Sequence, residues 1–158
     1  MNKQIDRIAF EYWSGLGSSD DLEAWAEAEL CKSNPHPDAC ELFSLSRHDA
    51  VKYSLKIAKE SRGFDPVSEL GETWAKELLH LYGAKLLNGE ITPNVFCTLV
   101  NTYDANFMDF RKLDERTFEY PKWLGDLWSN CDWCDESWSL SNSPHLASEV
   151  KKVLRNET

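Results

Sequence analysis

The sequence predicts an all-α fold, a bundle of about seven helices forming one domain over residues 1–158. Three observations predict it. Apolar residues recur at three- and four-residue spacing along most of the chain, and residues that start or stop helices bracket those segments. No stretch alternates apolar and polar residues with a period of two, and Asn88-Gly89 closes a helical segment rather than joining two strands. A chain of 158 residues can bury roughly two-thirds of its unfolded surface without a metal or disulfide. Its apolar share of 42% and aromatic share of 12% argue against disorder.

The first helix is expected over residues 2–14, with Ile5, Ile8, Ala9, Tyr12 and Trp13 at helical spacing and Gly15 and Gly17 as a stop and turn. Ser18, Ser19 and Asp20 are candidate caps for a second helix, 21–32, whose Leu22, Trp25, Ala26 and Leu30 face inward. Asn34, Pro35 and Pro37 end it, and a short helical segment over 38–45 follows. Ser46 caps a helix over 47–61 that Gly63 terminates. Pro66 opens the longest segment, 67–87, where Val67, Leu70, Trp74, Leu78 and Leu81 form one stripe. Thr92 and Pro93 start a helix that runs to about residue 106 and buries Phe96, Leu99, Val100 and Tyr103. Residues 108–119 mix acids and bases without a clear period and read as a loop.

Residues 121–138 hold four of the seven tryptophans and two of the five cysteines. As one helix they place Trp123, Leu124, Leu127, Trp128, Cys131, Cys134 and Trp138 on one apolar arc. Trp133 points the other way, among Asp126, Ser129, Asp132, Glu136 and Ser137. It is either an exposed anchor or covered by another element. Ser143-Pro144 begins a last helix carrying Leu146, Val150, Val153 and Leu154. The expected core gathers Trp74, Leu78, Leu81, Phe96, Leu127, Cys131 and Trp138, with Trp123 and Trp128 each contributing about 3–5 kcal/mol.

The net charge is −10. From residue 8 to 31 there are six acids, Glu11, Asp20, Asp21, Glu23, Glu27 and Glu29, and no Lys or Arg. From 123 to 150 there are five, Asp126, Asp132, Asp135, Glu136 and Glu149, again with no base. A field of this sign repels nucleic acid and anionic membranes and attracts basic partners. The acids read either as the solvated side of amphipathic helices or as a protein-binding face with Trp133 and Trp25 as anchors. The N-terminal residues lack the apolar run of a signal peptide, and no segment is apolar enough to span a bilayer, so a cytoplasmic protein with reduced cysteines is expected.

Chemical motifs are few. Cys131-Asp132-Trp133-Cys134 is a CxxC without a second pair nearby. It reads first as two buried structural thiols, with a metal half-site or a redox pair as alternatives. Glu77 and His80 form a single ExxH, where di-iron helical proteins use two with further glutamates. No nucleophile, phosphate-loop or dinucleotide motif is present, so neither catalysis, a cofactor nor a metal is expected.

The segments Thr92-Pro93-Asn94-Val95-Phe96-Cys97, Leu124-Gly125-Asp126-Leu127 leading to Cys131-Asp132-Trp133, and His145-Leu146 with Glu149-Val150-Lys151-Lys152-Val153-Leu154 resemble small helical bacterial immunity proteins of polymorphic or contact-dependent toxin systems. Cys134 stands outside that pattern. The resemblance implies a cytosolic protein that binds and blocks one toxin domain, often a basic nuclease. The partner-binding residues expected on these grounds are Trp133, Asp126, Asp132 and Glu136, with Asp20, Asp21, Glu23 and Glu27 of the second helix. A helical adaptor for another basic protein is the competing expectation.

Overall fold

Local start signals fix most of the helices. The computed structural model describes residues 4–18, 20–113 and 119–155. Seven α-helices follow one another, with no strand among the described residues: α1 (Ile5–Ser14), α2 (Asp20–Leu30), α3 (Arg47–Arg62), α4 (Glu69–Leu87), α5 (Pro93–Leu113), α6 (Lys122–Cys131) and α7 (Pro144–Arg155). The fold is all-α. The segment expected over 38–45 shrinks to a 3₁₀ turn, Glu41–Phe43.

At α3, Ser46 Oγ accepts a hydrogen bond from the Asp49 N–H, satisfying a donor that the first turn leaves without a helical partner. Gly63 closes α3 at φ +67°, a conformation glycine adopts without strain. At α5, Thr92 Oγ1 accepts from the Val95 N–H. Helix α4 begins two residues later than Pro66 suggested, because residues 65–68 form a turn and Ser68 Oγ caps the Gly71 N–H.

The chain forms two compact units, Met1–Trp74 and Ala75–Thr158, which divide within α4. In the first, α1 packs against α3 and α2. Ile5, Ile8, Tyr12, Leu22, Ala26, Leu42, Ala50 and Ile57 form one apolar cluster there. Helix α1 is buried on nearly every side, including Asp6 at 7% exposure and Glu11 at 4%. Both carboxylates are paired: the Arg62 Nε donates to Asp6 at 2.8 Å and the Arg7 Nε to Glu11 at 2.7 Å. Leaving either charge buried without its partner would be strongly unfavourable. Tyr53 ties the 3₁₀ turn to α3 through its hydroxyl, 2.7 Å from Asp38 and 2.8 Å from Glu41.

In the second unit α6 packs against α5 and α7. Phe96, Val100, Tyr103, Leu124, Leu127, Leu146 and Val150 are buried. Tyr103 stacks on Trp123, and the Tyr120 hydroxyl donates to Asp104 at 2.6 Å.

Three expectations need correction. Helix α5 continues to Leu113, because Tyr103, Phe107 and Phe110 keep the helical period through the segment read as a loop; residues 114–118 lie outside the described ones. Leu81 and Trp128 are 51% and 41% exposed, so neither is core, and Trp74 and Trp138 are only half-buried. The cost expected for removing Trp128 falls accordingly. The third correction concerns α6, which stops at Cys131 rather than reaching Trp138.

Candidate functional site

The end of α6 is made by an unusual turn. Asp132 adopts φ −61° and ψ 136°, Trp133 has φ +65°, and the Cys134 N–H bonds the Cys131 carbonyl at 3.1 Å. Those values define a type II β-turn over Cys131-Asp132-Trp133-Cys134, with tryptophan at the third position. Glycine or asparagine normally occupies it, because a Cβ there meets its own carbonyl oxygen. Trp133 is the one residue other than glycine with positive φ among the described residues. It is also 86% exposed.

The residues that follow hold the turn in place. Asp135 accepts hydrogen bonds from both the side chain and the backbone N–H of Ser137, and these hold its carboxyl below the usual carboxylate range. Asn142 Oδ1 accepts from the Ser139 N–H at 2.7 Å and Asn142 Nδ2 donates to the Ser137 carbonyl at 3.0 Å. Trp138 closes edge-on against His145. Asp135, Ser137 and Asn142 were not among the expected site residues, although Asp-x-Ser is a readable side-chain-to-backbone turn signal.

The strain has a measurable size. A residue other than glycine in the left-handed region costs about 1–2 kcal/mol. Replacing Trp133 with glycine relieves it and gives back about 0.5–1 kcal/mol in unfolded-chain entropy. Trp133→Gly is therefore expected to raise stability slightly, by about 0.5–1 kcal/mol, while Trp133→Ala, which keeps the Cβ, leaves the urea midpoint near wild type. A Trp133→Gly midpoint well below wild type would show that the ring supports the fold.

The electrostatic reading changes at its edges. The two base-free windows are bounded by Arg7 and Lys32 and by Lys122 and the Lys151-Lys152 pair, and helical spacing carries bases from these edges back into them. Arg7 pairs with Glu11, Lys32 with Glu29, Lys122 with Asp126 and Lys152 with Glu149. The Lys122 ammonium holds the Asp126 carboxyl below its usual range. Four of the eleven acids are thus compensated locally. Asp132, Asp135 and Glu136 remain exposed around Trp133.

Asp20, Glu23 and Glu27 are exposed on α2, in the other unit, while Asp21 is half-buried. A cleft of about 550 Å³ in that unit is lined by Asp21, Trp25, Glu29, Lys32, His36 and Arg62. Its charged groups are largely tied up: Glu29 pairs with Lys32 and accepts from the His36 N–H, and Arg62 is bound to Asp6.

The thiols converge more than the sequence suggested. Cys97 and Cys131 are buried and Cys134 half-buried, and the neighbouring Cys131 thiol, then burial, raises the Cys97 thiol well above its ordinary value. The described residues contain no group of three or more His, Cys, Asp or Glu arranged to hold a metal ion, and no helix long and apolar enough to cross a membrane. Comparison with family models, curated proteins and solved structures gives no match.

Proposed function

We propose that the chain is a non-catalytic binding protein, a cytoplasmic immunity-type inhibitor that neutralises a basic toxin domain through Trp133 and its surrounding acids. The observation that carries this reading is Trp133 itself, a large apolar side chain held 86% exposed on strained backbone. Backbone strain concentrates at functional sites, and tryptophan is among the residues most enriched at binding hot spots. Asp132, Asp135 and Glu136 supply a negative rim that steers a basic partner. The resemblance of residues 92–154 to immunity proteins supports a toxin domain as that partner. The same rim disfavours phosphate backbones and anionic lipid, so the partner class is protein.

The test is co-purification of the full chain from its native host, identification of the partner by mass spectrometry, and titration of that partner with variants. Trp133→Ala should weaken binding by about 2 kcal/mol or more, roughly 30-fold, mainly through faster dissociation. Asp132→Lys and Glu136→Lys should instead slow association, with an effect that shrinks as salt rises. Wild-type affinity for Trp133→Ala would remove the turn from the interface. A basic partner without toxin activity would favour the adaptor reading.

A further inference from the structure

The cleft of the first unit lies between α1, α2 and the last turn of α3. Its apolar walls are Ile5 and Ile8 of α1 and Ala24, Trp25 and Ala28 of α2. Helical spacing divides α2 into three stripes: Leu22 and Ala26 enter the core, Asp20, Glu23 and Glu27 face solvent, and Ala24, Trp25 and Ala28 form the third. The two alanines leave open, beside the Trp25 ring, space that larger side chains would fill. At about 550 Å³ the cleft falls in the size range of small-molecule sites, about 300–1,000 Å³.

Its polar groups have donors to spare. The Arg62 Nε donates to Asp6 and the Lys32 ammonium to Glu29, and neither cationic head has a second acceptor among the described residues. Each therefore keeps N–H groups for another partner. The bond to Asp6 fixes the guanidinium against the first turn of α1, where Ile5 lines the cleft. His36 Nδ1 accepts the Asp38 N–H at 3.3 Å, so the neutral ring carries its proton on Nε2 and is a third donor. The acids are already met. Both oxygens of Asp6 accept hydrogen bonds, from the Arg7 N–H and from Arg62, and both oxygens of Glu29 do so, from Lys32 and from the His36 N–H. Asp21, the remaining acid of the lining, is engaged in an interaction of its own.

We propose that this cleft binds a small aromatic monocarboxylate, its ring against Trp25 and its carboxylate on Arg62, with Lys32 and His36 in support. A guanidinium fork meets a carboxylate with two parallel N–H donors, and a half-buried indole offers a flat apolar face to a ring. The exposed stripe of Asp20, Glu23 and Glu27 repels a ligand of higher negative charge, so the cleft selects a single carboxylate over a phosphate. The inference concerns the first unit and does not rest on Trp133 having a partner.

The test titrates the isotope-labelled full chain with naphthoate, with neutral naphthamide and with naphthyl phosphate, and follows the backbone and indole N–H signals by NMR. Naphthoate should give saturable shifts centred on Trp25 and Ala28, and the amide and the phosphate should each bind roughly tenfold more weakly or worse. Ala28→Leu, which fills the cleft from an exposed helical position, should abolish the shifts. Arg62→Lys, which leaves a cation for Asp6 but no fork, should weaken naphthoate binding roughly tenfold. No saturable shift, shifts centred outside the first unit, amide or phosphate binding as tight as that of naphthoate, or unweakened binding by either variant would each overturn the proposal. The comparison of the three probes on the native chain decides even if a variant folds poorly.

Discussion

Phe10→Ala is expected to destabilise the protein by about 3–5 kcal/mol. Phe10 is completely buried, and its ring meets three others of the same unit: Trp13 at 5.8 Å, Trp74 at 5.7 Å and Phe64 at 6.3 Å. Tilted and edge-on pairs at these separations add to the area term, and none of those large rings can collapse into the void without leaving its own partners. Urea denaturation should show a lower midpoint with little change in slope. A loss under about 1 kcal/mol would mean that the aromatic cluster reorganises, at odds with close packing.

Gly71→Ala should also be costly, although a helix ordinarily gains about 1 kcal/mol from that exchange. A Cβ at residue 71 would lie 2.1 Å from the Pro66 carbonyl oxygen and 2.7 Å from its carbon. Both are backbone atoms in a turn held by the Ser68 N–H and hydroxyl on the Asp65 carbonyl, so no side-chain rotation makes room. Overpacking of this kind outweighs the propensity gain, and a net loss of about 2 kcal/mol is expected in thermal or urea unfolding. A neutral or stabilised variant would show that the 65–68 turn shifts freely.

The two residues differ in how visible they were. The helical start at Arg47 was readable because Ser46 and Gly63 act through local hydrogen bonding, and the same holds for Thr92 before Pro93. Phe10 escaped because an amphipathic reading gives α1 one inner side, whereas this helix is buried almost all round and even hides Glu11. Gly71 escaped because its neighbour in space is a carbonyl five residues away. The end of α6 was invisible for a different reason. No glycine, asparagine or proline stands in the turn directly after Cys131, and that turn places tryptophan where glycine is usual, a local choice that propensity argues against. Exposure of Trp133 was anticipated as one of two outcomes, but its backbone state was not. The acid-free-of-base windows misled because a linear window ends abruptly, while a helix joins residues three or four apart across that edge.

The exposure of Trp133 also has an optical consequence. Of the seven tryptophans it stands far out in solvent, while Trp13 is buried and Trp128 is 41% exposed. Emission from this indole should be the red-shifted share of the spectrum, and the carboxylates around it sort the ions that can collide with it. Caesium is drawn toward Asp132, Asp135 and Glu136 and iodide is turned away, so at low ionic strength cationic quenching should exceed anionic quenching, and the two should converge as added salt screens the rim. The turn thereby carries its own fluorescent reporter, one whose quenching reads the local potential without a label.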